Sequence, residues 1–304
     1  MRILVTGATG FVGRALVPAL GSGGHDVVTP THRQADLATP ERFLPYLQGT
    51  GAVIHLAAHN PPRWQTRPGD AERFRTLNAE ATAELGRLAL QAGVSTFVFL
   101  SSARVYGIQD LPAYREDTPP RPNDPYGLSK WQAEQALAQV FAAAPGRLLV
   151  IRAPVIHGPG RGGVLGLVGR FARNGWPFPG SFATMPKSVL HIGNLVSAIR
   201  HLMTREEALH GTYNLCDDPP VTLGEFGRMA AERHRRPFRT VPLPGLAAAA
   251  LNQLPVFGAA AAHLAAPCVL DGTRFAADTG WLAPVSGHRA LMDAFCRDEP
   301  HPSP

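Results

Sequence analysis

Arg2-Ile3-Leu4-Val5-Thr6-Gly7-Ala8-Thr9-Gly10-Phe11-Val12-Gly13 decides the fold. Its first five residues are apolar and β-favouring. They run into glycines three apart and then into an apolar helical pattern, Phe11 to Leu20. A turn from strand into helix N-terminus presents backbone N–H groups and the positive end of the helix dipole, which suits a pyrophosphate. Gly7 permits the tight turn, Gly10 lets the backbone approach the phosphates, and Gly13 lets the helix lie close on the sheet. Thr9, Phe11 and Val12 belong to the same contact loop. Pro18 falls inside the predicted helix and is expected to kink or shorten it.

Outward from this loop, short apolar runs alternate with helical patterns. Strands are predicted at Asp26–Thr31, Ala52–Leu56, Thr96–Leu100 and Leu148–Arg152, and helices at Ala79–Ala92 and Tyr126–Ala144. Near-continuous apolar strands alternating with helices argue for a parallel sheet covered on both faces. After about residue 157 the rhythm changes. Gly and Pro are dense from Gly158 to Pro186 around one helix, Val164 to Asn174. A helix at Asn194–Thr204, a strand at Thr212–Leu215 and a helix at Leu223–Arg233 follow. The expected class is α/β: a Rossmann-type doubly wound parallel sheet with a smaller mixed C-terminal substrate domain. Residues 1–157 form the dinucleotide-binding domain, with 188–212 returning to it. Residues 158–187 and 213–297 form the smaller domain, and 298–304 a flexible tail.

The 304 residues carry a formal charge of +6, with arginines scattered along the chain. No basic run exceeds Arg233-His234-Arg235-Arg236, so no nucleic acid or membrane partner is expected, and the basic surface favours an anionic ligand. Three cysteines far apart make a poor disulfide framework, and no secretory signal pattern is read. A cytoplasmic location fits. The alanine-rich stretch Leu246 to Ala266 contains Asn252, Gln253, Pro255 and His263, so it reads as a packed helix pair rather than a membrane span. No metal-ligating set is expected.

The chemistry concentrates at strand ends. After the second strand stands Thr31-His32-Arg33-Gln34, with no acid to hold ribose hydroxyls. Arg33, helped by His32, can accept the 2′-phosphate of NADP, and the nearest acid is Asp36. The strand Thr96–Leu100 ends in Ser101-Ser102-Ala103-Arg104, at the sheet edge where such folds bind ligands. Tyr126 and Lys130, one of only two lysines, are four apart and share a helix face. A phenol of ordinary pKa near 10 is a weak base at neutral pH. The lysine ammonium favours the phenolate and makes Tyr126 a general acid/base, with Ser102 steadying the substrate oxygen.

Together these motifs resemble the extended short-chain dehydrogenase/reductases, which include NAD-dependent epimerases and dehydratases of nucleotide sugars. The resemblance spans nearly the whole chain. It implies Ser102, Tyr126 and Lys130 as catalytic triad, with Lys130 on the nicotinamide ribose. It implies cofactor contacts from Gly7 to Gly13, from Asp36-Leu37, from Leu56, Ala57 and Ala58 after His55, from Asn78 and Ser101, and from Ala153, Pro154 and Val155 beside the nicotinamide. Gly211 to Leu215 and Thr279-Gly280-Trp281 are similar to late family signatures. Sugar 4,6-dehydratases of the family place Asp-Glu where Ala103-Arg104 stand, so elimination is not expected. Val155 replaces an Asn that often grips the substrate diphosphate, and Lys187 is the candidate for one phosphate. Ser102, Arg104, Tyr126, Val155 and Lys187 thus form the expected substrate set.

The expected activity is NAD(P)-dependent hydride transfer at a nucleotide-linked sugar, as a 4-epimerase or a 4-keto-sugar reductase, with NADP favoured over NAD. A reductase of a small ketone or aldehyde is the alternative, and a non-catalytic dinucleotide-binding regulator is the alternative of another class. The resemblance also implies a homodimer through the helices starting at Ala79 and Tyr126. Leu85, Leu88, Ala89, Leu137 and Val140 can supply its apolar faces or, equally, pack the core.

Overall fold

A computed structural model describes residues 1–61, 70–159, 163–204, 209–242 and 266–293. In chain order the first half contains β1 (Arg2–Thr6), α1 (Phe11–Ser22), β2 (Asp26–Val28), α2 (Leu44–Leu47) and β3 (Ala52–His55). Then come α3 (Asp70–Phe74), a π-helical stretch Arg75–Glu80, α4 (Ala81–Gln91), β4 (Thr96–Ser102), α5 (Pro125–Phe141) and β5 (Arg147–Ala153). The second half contains β6 (Val155–His157), α6 (Gly163–Asn174), β7 (Phe178–Pro179), α7 (Gly180–Ala183), β8 (Pro186–Lys187), β9 (Val189–His191) and α8 (Ile192–Thr204). It closes with β10 (Gly211–Asn214), β11 (Val221–Thr222), α9 (Leu223–Arg233), β12 (Thr240–Val241) and two helices, Thr273–Thr279 and Gly287–Asp293.

Ile3, Leu4 and Val5 are fully buried, so β1 can only be a central strand. It pairs in parallel with β2 on one side and β3 on the other. The six-stranded sheet runs β10-β5-β4-β3-β1-β2, parallel throughout. The chain winds one way from β1 to β2 and the other way from β3 onward. That reversal opens a crevice beyond the carboxyl ends of the strands. Successive side chains of a strand face opposite ways. Ile3 and Val5 therefore join Leu16 and Leu20 of α1 and Leu195 and Ile199 of α8. Leu4 joins Leu85, Leu88 and Ala89 of α4, Leu137 of α5, and Phe97 and Phe99. Those four helix side chains are spent inside this core, and Val140 packs partly buried against it.

Several expectations shift at their edges. The helix after the glycine loop runs through Pro18 to Ser22. Pro18 and Arg14, four residues before it, are both exposed, so the carbonyl that loses its partner faces water. The strand predicted to reach Thr31 stops at Val28, because the next residues close a local turn. The helix predicted from Ala79 is preceded by α3 and the π-helical stretch.

In the second half α6, α7 and α9 enclose a separate cluster that includes Val168, Phe178, Leu223 and Phe226. The α9 start is sealed by a capping box of Thr222 and Glu225. Not all of residues 213–297 belong with that cluster. Tyr213, Leu215, Phe275 and Trp281 pack into the sheet core beneath α1 and α8. Phe275 meets Tyr213 and Trp281 edge-on, with centroids 5.6 and 5.5 Å apart. Short strands separated by long loops hide this return from a reading along the chain. The expected helix pair at Leu246–Ala266, except for Ala266 itself, and the tail 298–304 lie outside the described residues. No helix among the described residues is long and apolar enough to cross a membrane.

Phe275 provides the test of this assignment. Phe275→Ala is expected to lower unfolding free energy by about 3–5 kcal/mol in urea denaturation. A loss below about 1 kcal/mol would place the segment outside the sheet core.

Candidate active site

The three glycines of the loop are required for three different reasons. Gly7 has φ +71°, and a Cβ there would stand 2.7 Å from the Ala57 nitrogen. A Cβ on Gly13 would lie 2.4 Å from the Gly7 carbonyl oxygen. A Cβ on Gly10 would meet only the Gly7 carbonyl oxygen, at 3.2 Å, so its other sides are open. Gly10 is the N-cap of α1. It offers no capping side chain, and the first turn holds no acid. An uncapped helix start behind an open glycine cradle fits the pyrophosphate of a dinucleotide. Thr6 Oγ ties the ends of β1 and β3 together, 2.7 Å from His55 Nδ1 and accepting from Ala57 N at 3.3 Å. Half-buried Leu56, Ala57 and Ala58 follow at the same edge. The Thr9 carbonyl accepts from Arg14 at 3.0 Å.

The loop after β2 is arranged differently from the expectation. Thr31 donates to Gln34 Oε1 through both its backbone N–H and its hydroxyl, at 2.8 and 2.9 Å. His32 does not support Arg33: its Nε2 lies 3.0 Å from Asp36 Oδ2. Asp36 Oδ1 also accepts from Ala38 N at 2.9 Å. Arg33 stays exposed, and Leu37 packs partly buried against the sheet face.

Ser102 ends β4, and its hydroxyl oxygen accepts from Arg104 N at 3.2 Å. Asp124 caps α5 by accepting from Gly127 N at 2.8 Å. The same carboxylate takes Arg104 Nε at 2.8 Å on its second oxygen, and another guanidinium nitrogen of Arg104 reaches the first. The Arg104 guanidinium thereby lies 4.6 Å above the centre of the Tyr126 ring. A Cβ on Gly127 would stand 2.5 Å from the Arg104 carbonyl oxygen, so only glycine allows α5 to approach this closely. Arg104 thus touches all three: its backbone N–H meets Ser102, and its guanidinium meets the Asp124 carboxylate and the Tyr126 ring.

Lys130 lies one turn further along α5 and is buried. Its Nζ donates to the Leu100 carbonyl at 2.9 Å and sits 4.5 Å over Phe99 and 5.9 Å from the Tyr126 ring centre. Burial pulls its pKa down to about 7, against the attraction of Glu134. An ammonium carries three donors, and the carbonyl uses one.

Four expected contact residues bond within the protein itself. The Ser101 hydroxyl points inward to Glu134 rather than toward a cofactor, because Glu134 is buried and needs donors. Asn78, in the π-helical stretch, bridges the loop after β3 to α5. Its amide donates to Ser129 Oγ at 3.1 Å and to the His59 carbonyl at 2.9 Å, while its Oδ1 accepts from His59 N at 2.7 Å. Lys187 donates to the carbonyl of Ala266, and burial lowers its pKa. His32 is the fourth. Ala153 ends β5 in register with Ser102, Pro154 follows, and Val155 begins β6 with its side chain exposed. Asp124 and Glu134 were missed. The readable signals were an N-cap acid before Pro125 and a carboxylate four residues after Lys130. Among the described residues no group of three His, Cys, Asp or Glu is placed to hold a metal.

His55 links site and stability. It is buried, with Nε2 2.9 Å from Thr82 Oγ, and burial followed by the Lys130 charge pushes its pKa down to about 3. The unfolded chain protonates this histidine near 6.5, so the stabilisation is complete above pH 6.5 and is lost progressively as pH falls toward 3. Acidification from pH 6.5 to 5 is expected to cost about 2 kcal/mol from this group. Urea denaturation at the two pH values should show a smaller loss in His55→Asn than in the wild type.

Comparison with known proteins agrees with this geometry. The sequence profile of the NAD dependent epimerase/dehydratase family matches residues 3–216. A UDP-glucose 4-epimerase of Vibrio cholerae is 30% identical over 258 residues, 80% of this chain and 78% of the relative. An N-acetyl-alpha-D-glucosaminyl-diphospho-ditrans,octacis-undecaprenol 4-epimerase of Escherichia coli O157:H7 is 28% identical over 236 residues, 74% of this chain and 70% of the relative. The structure of RMD from Pseudomonas aeruginosa complexed with NADPH superposes with a TM-score of 0.77, covering 97% of this chain and 99% of that one at 24% identity, a likeness of fold. The glycine cradle, the parallel sheet and the match over most of the chain lead to one conclusion: this protein belongs to the NAD-dependent epimerase/dehydratase family of enzymes.

Proposed function

We propose that this enzyme acts at a secondary alcohol of a nucleotide-linked sugar, as a 4-epimerase. The observation that supports the reading is Ser102 at the carboxyl end of β4, with Lys130 reaching from α5 to the Leu100 carbonyl of the same strand and lying 5.9 Å from the Tyr126 ring centre. A nicotinamide dinucleotide resting on the Gly7–Gly13 loop would supply hydride exchange with the sugar carbon. Tyr126 takes the hydroxyl proton as the carbonyl forms and returns it when the alcohol is restored. Ser102 Oγ already accepts from Arg104 N, so its own O–H is the group left to donate to the substrate oxygen. Lys130 adds positive charge behind the phenol and spare donors for ribose hydroxyls. Ala103 and Arg104 supply neither of the carboxyl groups an elimination would use. Both curated relatives named above are 4-epimerases, which favours epimerisation.

A second reading, a 4-keto-sugar reductase using NADPH, is favoured by exposed Arg33 in a loop with no acid before Asp36. The same proposal places residues 1–157, with α8, β10 and the 270–281 segment, in the dinucleotide-binding part, and α6 to α9 apart from α8 on the substrate side. It includes a homodimer through the outer faces of α4 and α5.

Tyr126→Phe is expected to lower turnover of a UDP-sugar by about 10²–10⁴-fold while the protein binds the dinucleotide as tightly as before. Unchanged turnover would remove Tyr126 from the reaction. Interconversion of UDP-glucose and UDP-galactose without net change in nicotinamide absorbance supports the epimerase. Stoichiometric consumption of NADPH with a 4-keto-sugar would replace it with the reductase.

A further inference from the structure

We propose that Arg104 is a positioning residue that sets the acidity of Tyr126 through its clamp on Asp124. The inference rests on the role given to Tyr126 above and concerns a residue outside the triad. Arg104 stands on the turn directly after Ser102, and its guanidinium is locked by a two-point contact with the Asp124 carboxylate. That fork holds the cation 4.6 Å over the phenol ring, on a different element from Lys130. A planar guanidinium suits both tasks, binding a carboxylate with two parallel N–H groups and lying against an aromatic face.

The two cations near Tyr126 differ in kind. Lys130 is buried, 5.9 Å from the ring centre, and pays for its charge in lost hydration. Arg104 keeps its charge at any working pH. A cation beside a phenol favours the phenolate, and an anion opposes it. Arg104 therefore acts twice: it contributes positive charge at the ring, and it neutralises Asp124, which capping requires two residues before Tyr126. The other groups around the phenol complete the electrostatic setting. From α3, Phe74 meets the ring edge-on at 6.1 Å, and His59 lies behind it, 5.1 Å from Phe74. Glu134 lies two turns along α5 and is paired with Arg152. None of these replaces Arg104 as a permanent cation over the ring.

Two substitutions have opposite expected signs, which a packing role does not produce. Arg104→Met removes the cation from the ring face and from the Asp124 carboxylate. Its backbone N–H, the part that contacts Ser102, is unchanged. Asp124→Asn keeps an N-cap side chain and removes the anion, leaving Arg104 unopposed. The measurement is an ultraviolet titration of tyrosinate in the full chain, for wild type, Arg104→Met, Arg104→Lys and Asp124→Asn. Each trace is corrected by the same protein carrying Tyr126→Phe, so that only Tyr126 is read.

The Tyr126 midpoint is expected to rise by about one pH unit or more in Arg104→Met, to rise less in Arg104→Lys, and to fall in Asp124→Asn. Should Arg104→Met fail to fold, the Arg104→Lys shift decides, because Asp124→Asn removes an anion whatever Arg104 does. Midpoints that match the wild type, or that move the same way in both variants, would overturn the proposal. The titration needs no substrate, so it reads independently of the sugar assignment. An unmoved midpoint together with an inactive Tyr126→Phe enzyme rejects the role of Arg104 and leaves the role of Tyr126 standing.

Discussion

A buried ion pair holds the parts of this molecule in register. Glu134 and Arg152 meet at 2.7 Å, each with only 4% of its side chain exposed. Two charges withdrawn from water are tolerated only when their remaining hydrogen-bonding groups are also met. Here they are. The Ser101 hydroxyl approaches Glu134, and Arg152 donates to Tyr106 OH at 2.9 Å and to the Glu116 carbonyl at 3.2 Å. The Tyr106 hydroxyl in turn donates to Asn214 Oδ1 at 2.7 Å. Burial pushes the Tyr106 phenol up to about 12, which keeps it a neutral donor. One polar cluster thus joins α5 to β4, β5 and β10. A shift of α5 along the sheet would strand both charges.

That constraint fixes where the chemistry sits. Tyr126, Lys130 and Glu134 follow one another at intervals of four along one side of α5. With Glu134 anchored, Lys130 comes to rest under Phe99 and the Leu100 carbonyl, and Tyr126 is carried to the strand edge beside Ser102. The row passes from two buried charges to a partly exposed phenol. Asp124, at the upper end of the same helix, repeats the pattern with Arg104 in a wetter setting. The start and the middle of α5 are therefore each held by a carboxylate–guanidinium contact, and the Tyr126 phenol lies near the outer one.

The fold was largely legible along the chain because its main signals are local. Buried strands read as apolar runs, and the spacing of Gly7, Gly10 and Gly13 carries its geometry in three residues. The misreadings came from features that are not local. Pro18 is harmless because its turn faces water. Ser101, Asn78 and Lys187 bond within the protein to partners that chain order does not reveal: Glu134, Ser129 with the His59 backbone, and the Ala266 carbonyl. Phe275 and Trp281 returned to the sheet core from the far end of the chain.

The sequence by itself determined the parallel α/β architecture and the family, and it singled out the glycine loop with Ser102, Tyr126 and Lys130 as candidates, because each is written in spacing that a strand, a turn or a helix converts directly into geometry. Only the tertiary structure decided which polar side chains remain available to a ligand. A buried donor or acceptor takes whatever partner the fold brings to it, and those partners lie 18 residues away for Glu134 and Arg152, 20 for Arg104 and Asp124, and 79 for Lys187 and Ala266.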